Sequence, residues 1–246
     1  MNRNESFPAS GVSALEINLA WATLEAVTDN VSEIQMLISG NEEDVDDLRV
    51  GLTDGILRAE QPAYGLTAHL GMVRWMQVVI RLPMNWKGAV SLNTVAGPLR
   101  ARGIQGSDVV LRTVSGDLWG SDLHAITLKM RTVTGALNCR EARAEKGLLR
   151  TVSGSFQLEG ARFRNLKLVS ASSDLRAEFD EPFETVEANS VAGNIEILAP
   201  VEAANITLRK ETGRLRTGGV SITDDGPVIR ATTVSGILTV TYKEPR

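Results

Sequence analysis

The chain has 246 residues, 43% hydrophobic and 23% charged, with 30 acidic and 26 basic side chains and a net charge of −4. That composition excludes a disordered chain, and no run approaches the ~18 apolar residues of a membrane helix. The single cysteine, Cys139, excludes an intrachain disulfide, and 22 glycines beside 4% aromatics favour short strands and tight turns.

Met1–Pro8 contains no apolar run of signal-peptide length, so the sequence as given reads as cytoplasmic. Leu15, Ile17 and Leu19 alternate, as do Ile34, Met36 and Ile38, and each set predicts a strand. Between them and the next apolar stretch lies Glu42-Glu43-Asp44-Val45-Asp46-Asp47, expected as a solvated loop. Residues 1–60 hold 12 acidic and 3 basic side chains, whereas the rest of the chain holds 18 and 23. The acidic start could therefore meet a basic surface on another copy. Leu48–Leu57 reads as an irregular early coil. Residues 1–75 are expected to form irregular N-terminal coils and a cap, residues 76–240 regular repeats, and 241–246 a tail, all within one domain.

The repeats rest on a recurring tetrapeptide. Thr94-Val95-Ala96-Gly97, Thr113-Val114-Ser115-Gly116, Thr132-Val133-Thr134-Gly135 and Thr151-Val152-Ser153-Gly154 place their glycines 19 residues apart. Ser190-Val191-Ala192-Gly193 and Thr233-Val234-Ser235-Gly236 follow. Two positions after the corner glycine, or its equivalent, stand Leu99, Leu118, Leu137, Phe156, Leu175, Ile195, Leu215 and Leu238. A second apolar column lies five positions before it. Apolar residues at strand spacing on both sides of a glycine corner predict two strands per unit. A ~19-residue period is too short for a βαβ unit. The expected fold is all-β: a single-stranded parallel β-solenoid, right-handed by the general preference of parallel crossovers, with each unit stacked on the next and like residues ~4.8 Å apart. The threonine column shares the parity of the leucines and predicts an inward hydroxyl ladder. An ice-binding hydroxyl face is the alternative, but Lys210 interrupts the column. Thr223–Pro227 is expected as a loop inserted into the last repeats.

Val78-Val79-Ile80-Arg81-Leu82-Pro83, then Gly88–Gly97 and the phased T-V-S-G-x-L units, resemble the putative-adhesin β-strand-repeat family, domain of unknown function 4097. Leu15-Glu16-Ile17 and Asp54-Gly55-Ile56-Leu57 fit the opening of that pattern. The resemblance implies a bacterial β-solenoid akin to pectinase and adhesin β-helices. It supplies no catalytic residues.

No reactive constellation stands out. His69 and His124 lack metal-ligand spacing, so no metal and no cofactor are expected. Asp117 and Asp174 share a column but lie three coils apart, roughly 14 Å, wider than the ~5–9.5 Å of glycosidase pairs. They read as turn residues. The most suggestive cluster is basic: Arg112, Arg131 and Arg150 on consecutive coils, with Arg209 later in the same column. Segment 97–176 holds 13 basic and 7 acidic residues. The column is either a solvated face compensated by Glu141, Glu145 and Glu159 or an anion-binding strip. Trp119 shares its outward parity. Nucleic acid is not expected, because interleaved aromatics are missing. The sequence therefore predicts a non-enzymatic scaffold or interaction module for a protein, a glycan or an anionic envelope component. The alternatives are a structural protein stacking end to end, as bactofilin β-helices do, and a polysaccharide-active β-helix enzyme.

Overall fold

The computed structural model describes residues 1–62 and 75–244. The N-terminal part comprises β1 (Asn2–Pro8), β2 (Ala14–Trp21), β3 (Thr23–Asp29), β4 (Glu33–Gly40), the short helix α1 (Glu42–Asp47), β5 (Arg49–Thr53), β6 (Ile56–Glu60) and β7 (Met76–Pro83). The repeat region continues with β8 (Ala89–Ala96), β9 (Leu99–Arg102), β10 (Gln105–Ser115), β11 (Leu118–Arg131), β12 (Leu137–Arg150) and β13 (Phe156–Val169). The last strands are β14 (Leu175–Phe179), β15 (Thr185–Ala192), β16 (Ile195–Ala199), β17 (Ala203–Lys210), β18 (Arg214–Gly218), β19 (Ser221–Ile222), β20 (Val228–Ser235) and β21 (Ile237–Tyr242). Most pairings are parallel, so the chain forms an all-β, solenoid-like stack.

The middle of the stack follows the repeat. Leu99, Leu118, Leu137, Phe156, Leu175 and Ile195 face one another in register through β9, β11, β12, β13, β14 and β16. All six are at most 2% exposed. Each buried leucine contributes about 1.5–3 kcal/mol, and the in-register column repeats that gain at every rung. The threonines turn inward too, with Thr94, Thr113, Thr132 and Thr151 all buried. Thr113 Oγ1 donates to the Gly97 carbonyl and Thr132 Oγ1 to the Gly116 carbonyl, so each hydroxyl ties its coil to the corner of the preceding one. That geometry hides the hydroxyls from any ligand.

The corner requires glycine because successive corners touch. A Cβ on Gly135 would lie 2.3 Å from the Gly116 carbonyl oxygen, and Gly135 has φ of 128°. A second corner goes unmarked by any motif: Gly103, Asp122, Glu141 and Gly160 lie at successive 19-residue steps and all adopt positive φ. Glycine meets that demand freely, whereas Asp122 and Glu141 hold the left-handed conformation against its steric cost.

Both ends depart from sequence order. At the N-terminal end, β2 lies between β6 and β8, and β3 lies between β7 and β9. At the C-terminal end, β20 lies between β15 and β17, and β21 between β16 and β18. The terminal unit is thus tucked one rung inward at each end, correcting the expectation that every unit stacks on its sequence neighbour. The side chains explain the C-terminal inversion. Unit 228–242 places Ala231, Thr233, Leu238 and Val240 at inward positions, and all are buried. Unit 203–218 would place Lys210 in the threonine column and Thr217 in the apolar one, which only an outermost rung tolerates.

The N-terminal end is closed by antiparallel strands: β4 pairs with β7, β1 with β4, and β5 with β6. The expected irregular coil over Leu48–Leu57 is this β5–β6 hairpin, turning on Asp54 and Gly55 at positive φ. The acidic run forms α1 instead of a loop, and Val45 and Leu48 plug the core beneath it. Thr223–Pro227 does form a loop, between β19 and β20.

Candidate functional face

The outward side chains of β8, β10, β11, β12 and β13 build one continuous face. Parallel register aligns Asn93, Arg112, Arg131 and Arg150 in a column, flanked by exposed Lys129 and Lys146. Strand alternation puts these residues outside because their neighbours Leu111, Met130 and Leu149 are buried. Like charges at rung spacing repel, and the carboxylates expected to compensate them are engaged elsewhere or point away. Glu159 pairs with Arg140 at 3.1 Å, Glu145 acts on Arg164, and Glu141 occupies the second corner. Among the described residues, Arg112, Lys129, Arg131, Lys146 and Arg150 form no ion pair.

An apolar column runs beside the arginines. The second residue of each tetrapeptide has the opposite parity from the buried threonine, and Val95 and Val114 are 54% and 46% exposed. Val133 and Val152 are half-buried on the next two rungs, and Val191 and Val234 are exposed further along. Asn18, Asn93, Val95, Val114, Arg112 and Arg131 line a shallow groove of about 360 Å³ where the two columns meet. The valine column was legible in the motif itself, since parity alone sends it outward. An outward-facing valine ladder beside unpaired guanidiniums presents apolar contact and positive charge together.

Arg209 belongs to the same column but not to the cluster. Val169, Asn189 and Thr232 separate it from Arg150, and the inverted order of the last units puts it on the outermost rung. The other end of the face is neutralised by pairs: Lys167 binds Glu187 at 2.8 Å, holding that carboxyl below its ordinary range.

The remaining candidates are structural in geometry. Asp117 Oδ1 accepts the Ala136 N–H and Asp174 Oδ1 the Asn194 N–H, each linking two coils at the corner. His124 lies 3.4 Å from Asp122 on the surface, and His69 is outside the described residues. No group of three potential metal ligands occurs among the described residues. Cys139 is buried in the core, and desolvation pushes its thiol up to about 12, so no reactive thiolate forms there at neutral pH. Trp119 stands outward, half-buried, with the Arg100 guanidinium 4.4 Å from its ring centroid. No helix among the described residues is long and apolar enough to cross a membrane.

The stack defines an all-β, solenoid-like module built from parallel strands. Its family is shown by the sequence: the Toastrack DUF4097 model matches residues 12–225, and the chain belongs to that family. A putative adhesin from Bacteroides fragilis has a similar structure, with a TM-score of 0.60 and 11% identity over 99% of this chain and 97% of the other. A putative adhesin from Parabacteroides distasonis gives a TM-score of 0.56 and 9% identity over 97% of both chains. A putative lipid binding protein from the same species gives 0.50 and 12% identity over 97% and 96%. No curated protein matches the chain.

Proposed function

We propose that the protein is a non-enzymatic, adhesin-like binding module whose ligand is an anionic polymer or surface laid along the stack. The observation that carries this reading is the in-register column of Arg112, Arg131 and Arg150, free of carboxylate partners among the described residues and bordered by outward-facing valines. A ladder of uncompensated like charge weakens the folded state unless something anionic meets it. Regular spacing suits a ligand with repeated charge, such as an acidic glycan or a lipid headgroup layer. The names of the structural relatives, adhesin and lipid binding protein, fit surfaces of this chemistry.

The test measures binding to phosphatidylglycerol-containing vesicles and to heparin at low salt, with neutral phosphatidylcholine vesicles as control. Each basic side chain near an anionic surface contributes about 1 kcal/mol, so Arg112→Gln/Arg131→Gln/Arg150→Gln should weaken binding roughly 100-fold. Stronger binding to vesicles than to heparin assigns a headgroup layer, and the reverse assigns a free polymer. Absence of binding to both probes, or equal binding by the triple variant, overturns the proposal.

A further inference from the structure

Among the described residues, the two ends of the stack are open strand edges on the same two columns of strands. One column begins at β5 and ends at β17, and the other begins at β1 and ends at β18. At the C-terminal end, β19 covers only Ala203 and Ala204 of β17. From Asn205 to Gly218 the outer edge has no partner strand among the described residues, apart from its intervening turn. Its core-facing Ile206, Leu208 and Leu215 are only partly buried. Natural edges are usually blocked by a charge, a proline or a covering element; here Asn205–Leu208 carries none of these, and the charges Arg209 and Lys210 stand only at the end of β17. At the N-terminal end, the edge strand β5 opens on exposed Arg49 and then presents Val50, Gly51, Leu52 and Thr53, which carry no charge or proline, and Leu52 is exposed.

Charge tells the two ends apart. Segment 203–218 carries Arg209, Lys210, Arg214 and Arg216 against one carboxylate, Glu211. Asp224 and Asp225 lie in the loop beside Asn205, away from that basic turn. Beside β5, α1 exposes Glu42, Asp46 and Asp47. Two basic ends facing each other would repel, whereas a basic end facing an acidic one attracts.

We infer that the C-terminal edge, β17 and β18, is a docking surface for the N-terminal end of a second copy of this chain. The second copy's β5 continues the column that β17 ends, and its α1 meets Arg214 and Arg216 of β18. The contact is head-to-tail, so it leaves an unused edge at each end of the pair and extends to longer stacks. The arginine face lies along the sides of the stack and plays no part in the contact.

Sedimentation velocity at several protein concentrations, in low and high salt, tests this with two charge-reversed variants. Arg214→Glu/Arg216→Glu alters the basic end, and Asp46→Lys/Asp47→Lys the acidic end. All four positions are exposed, and circular dichroism confirms folding before the measurement. The wild type should associate with rising concentration at low salt and dissociate at high salt. Each variant alone should associate at least tenfold more weakly, and an equimolar mixture of the two should recover association, because the reversed ends complement each other. A wild type that stays monomeric at low salt overturns the inference. So does a dimer lost in the first variant but kept in the second, which would mean that two C-terminal ends meet. Neither result bears on vesicle or heparin binding.

Discussion

The regular middle of the stack, β10–β13, and its two ends follow the same column rules but different connectivity. In the middle every strand pairs with the one 19 residues on, and the inward positions are filled by apolar or small residues and by threonine. At both ends a unit skips a place, and at the C-terminal end the outermost rung is the one with imperfect inward residues. Columns therefore set the register between any two units, while at the C-terminal end the quality of the inward side chains decides which unit ends the stack. Lys210 decides it at the C-terminus, because the buried threonine column cannot hold an ammonium group on an inner rung.

The largest effect is expected from a charge placed in the inner ladder. Leu118→Asp should cost several kcal/mol and unfold the protein, whereas Leu215→Asp, on the outer rung, should cost about 1 kcal/mol. Chemical denaturation of the two variants measures the difference, and equal losses would contradict the distinction between middle and edge. Gly135→Ala drives a Cβ against the Gly116 carbonyl oxygen and should cost about 2 kcal/mol or more, read as a fall in the denaturation midpoint.

Lys243 holds the C-terminal end together. Its ammonium group, little exposed, binds Glu178 at 2.6 Å and Asp180 at 2.9 Å, stapling the inserted β21 to β14 and its following turn. Burial alone would lower its pKa, but the two carboxylates outweigh it and raise the value above the ordinary lysine range. The raised folded-state value fixes the sign: the staple's contribution is complete below the unfolded lysine pKa of about 10.4 and is lost as pH rises through the higher folded value. Lys243→Ala leaves two facing carboxylates and should cost roughly 1–3 kcal/mol at neutral pH. Hydrogen exchange should show the loss first in β21, with β11 and β12 unaffected. In the middle, Glu141→Gly relieves a left-handed non-glycine residue and should raise stability by about 1 kcal/mol or less, measured as a small increase in Tm.

The inner columns, the Thr-Val-Ser-Gly corner and the outward arginines were all legible in the sequence, because a 19-residue period reports side-chain parity directly. The second corner was not, since Gly103, Asp122, Glu141 and Gly160 share a backbone conformation and no residue type. The inverted order of the ends was not legible from spacing, although Lys210 in a buried column was its signal. The valine ladder was written in the motif and hidden by its regularity: four letters serve the corner and the core, and only parity separates Val114, outside, from Thr113, inside. The partners of the arginines could not be read from proximity in sequence. Glu141 and Glu145 are close to Arg150 along the chain and serve other places in the fold.

On the proposed function, the arginine ladder is held for a ligand at some expense to the fold. The most direct measurement pairs stability with binding in Arg131→Gln, the middle guanidinium of the three. Removing it should leave Tm at low salt unchanged or higher, because its like-charged neighbours relax, while anionic-vesicle or heparin binding falls by about fivefold. A lower Tm with unchanged binding to both probes would contradict the account and make the ladder part of the structure alone.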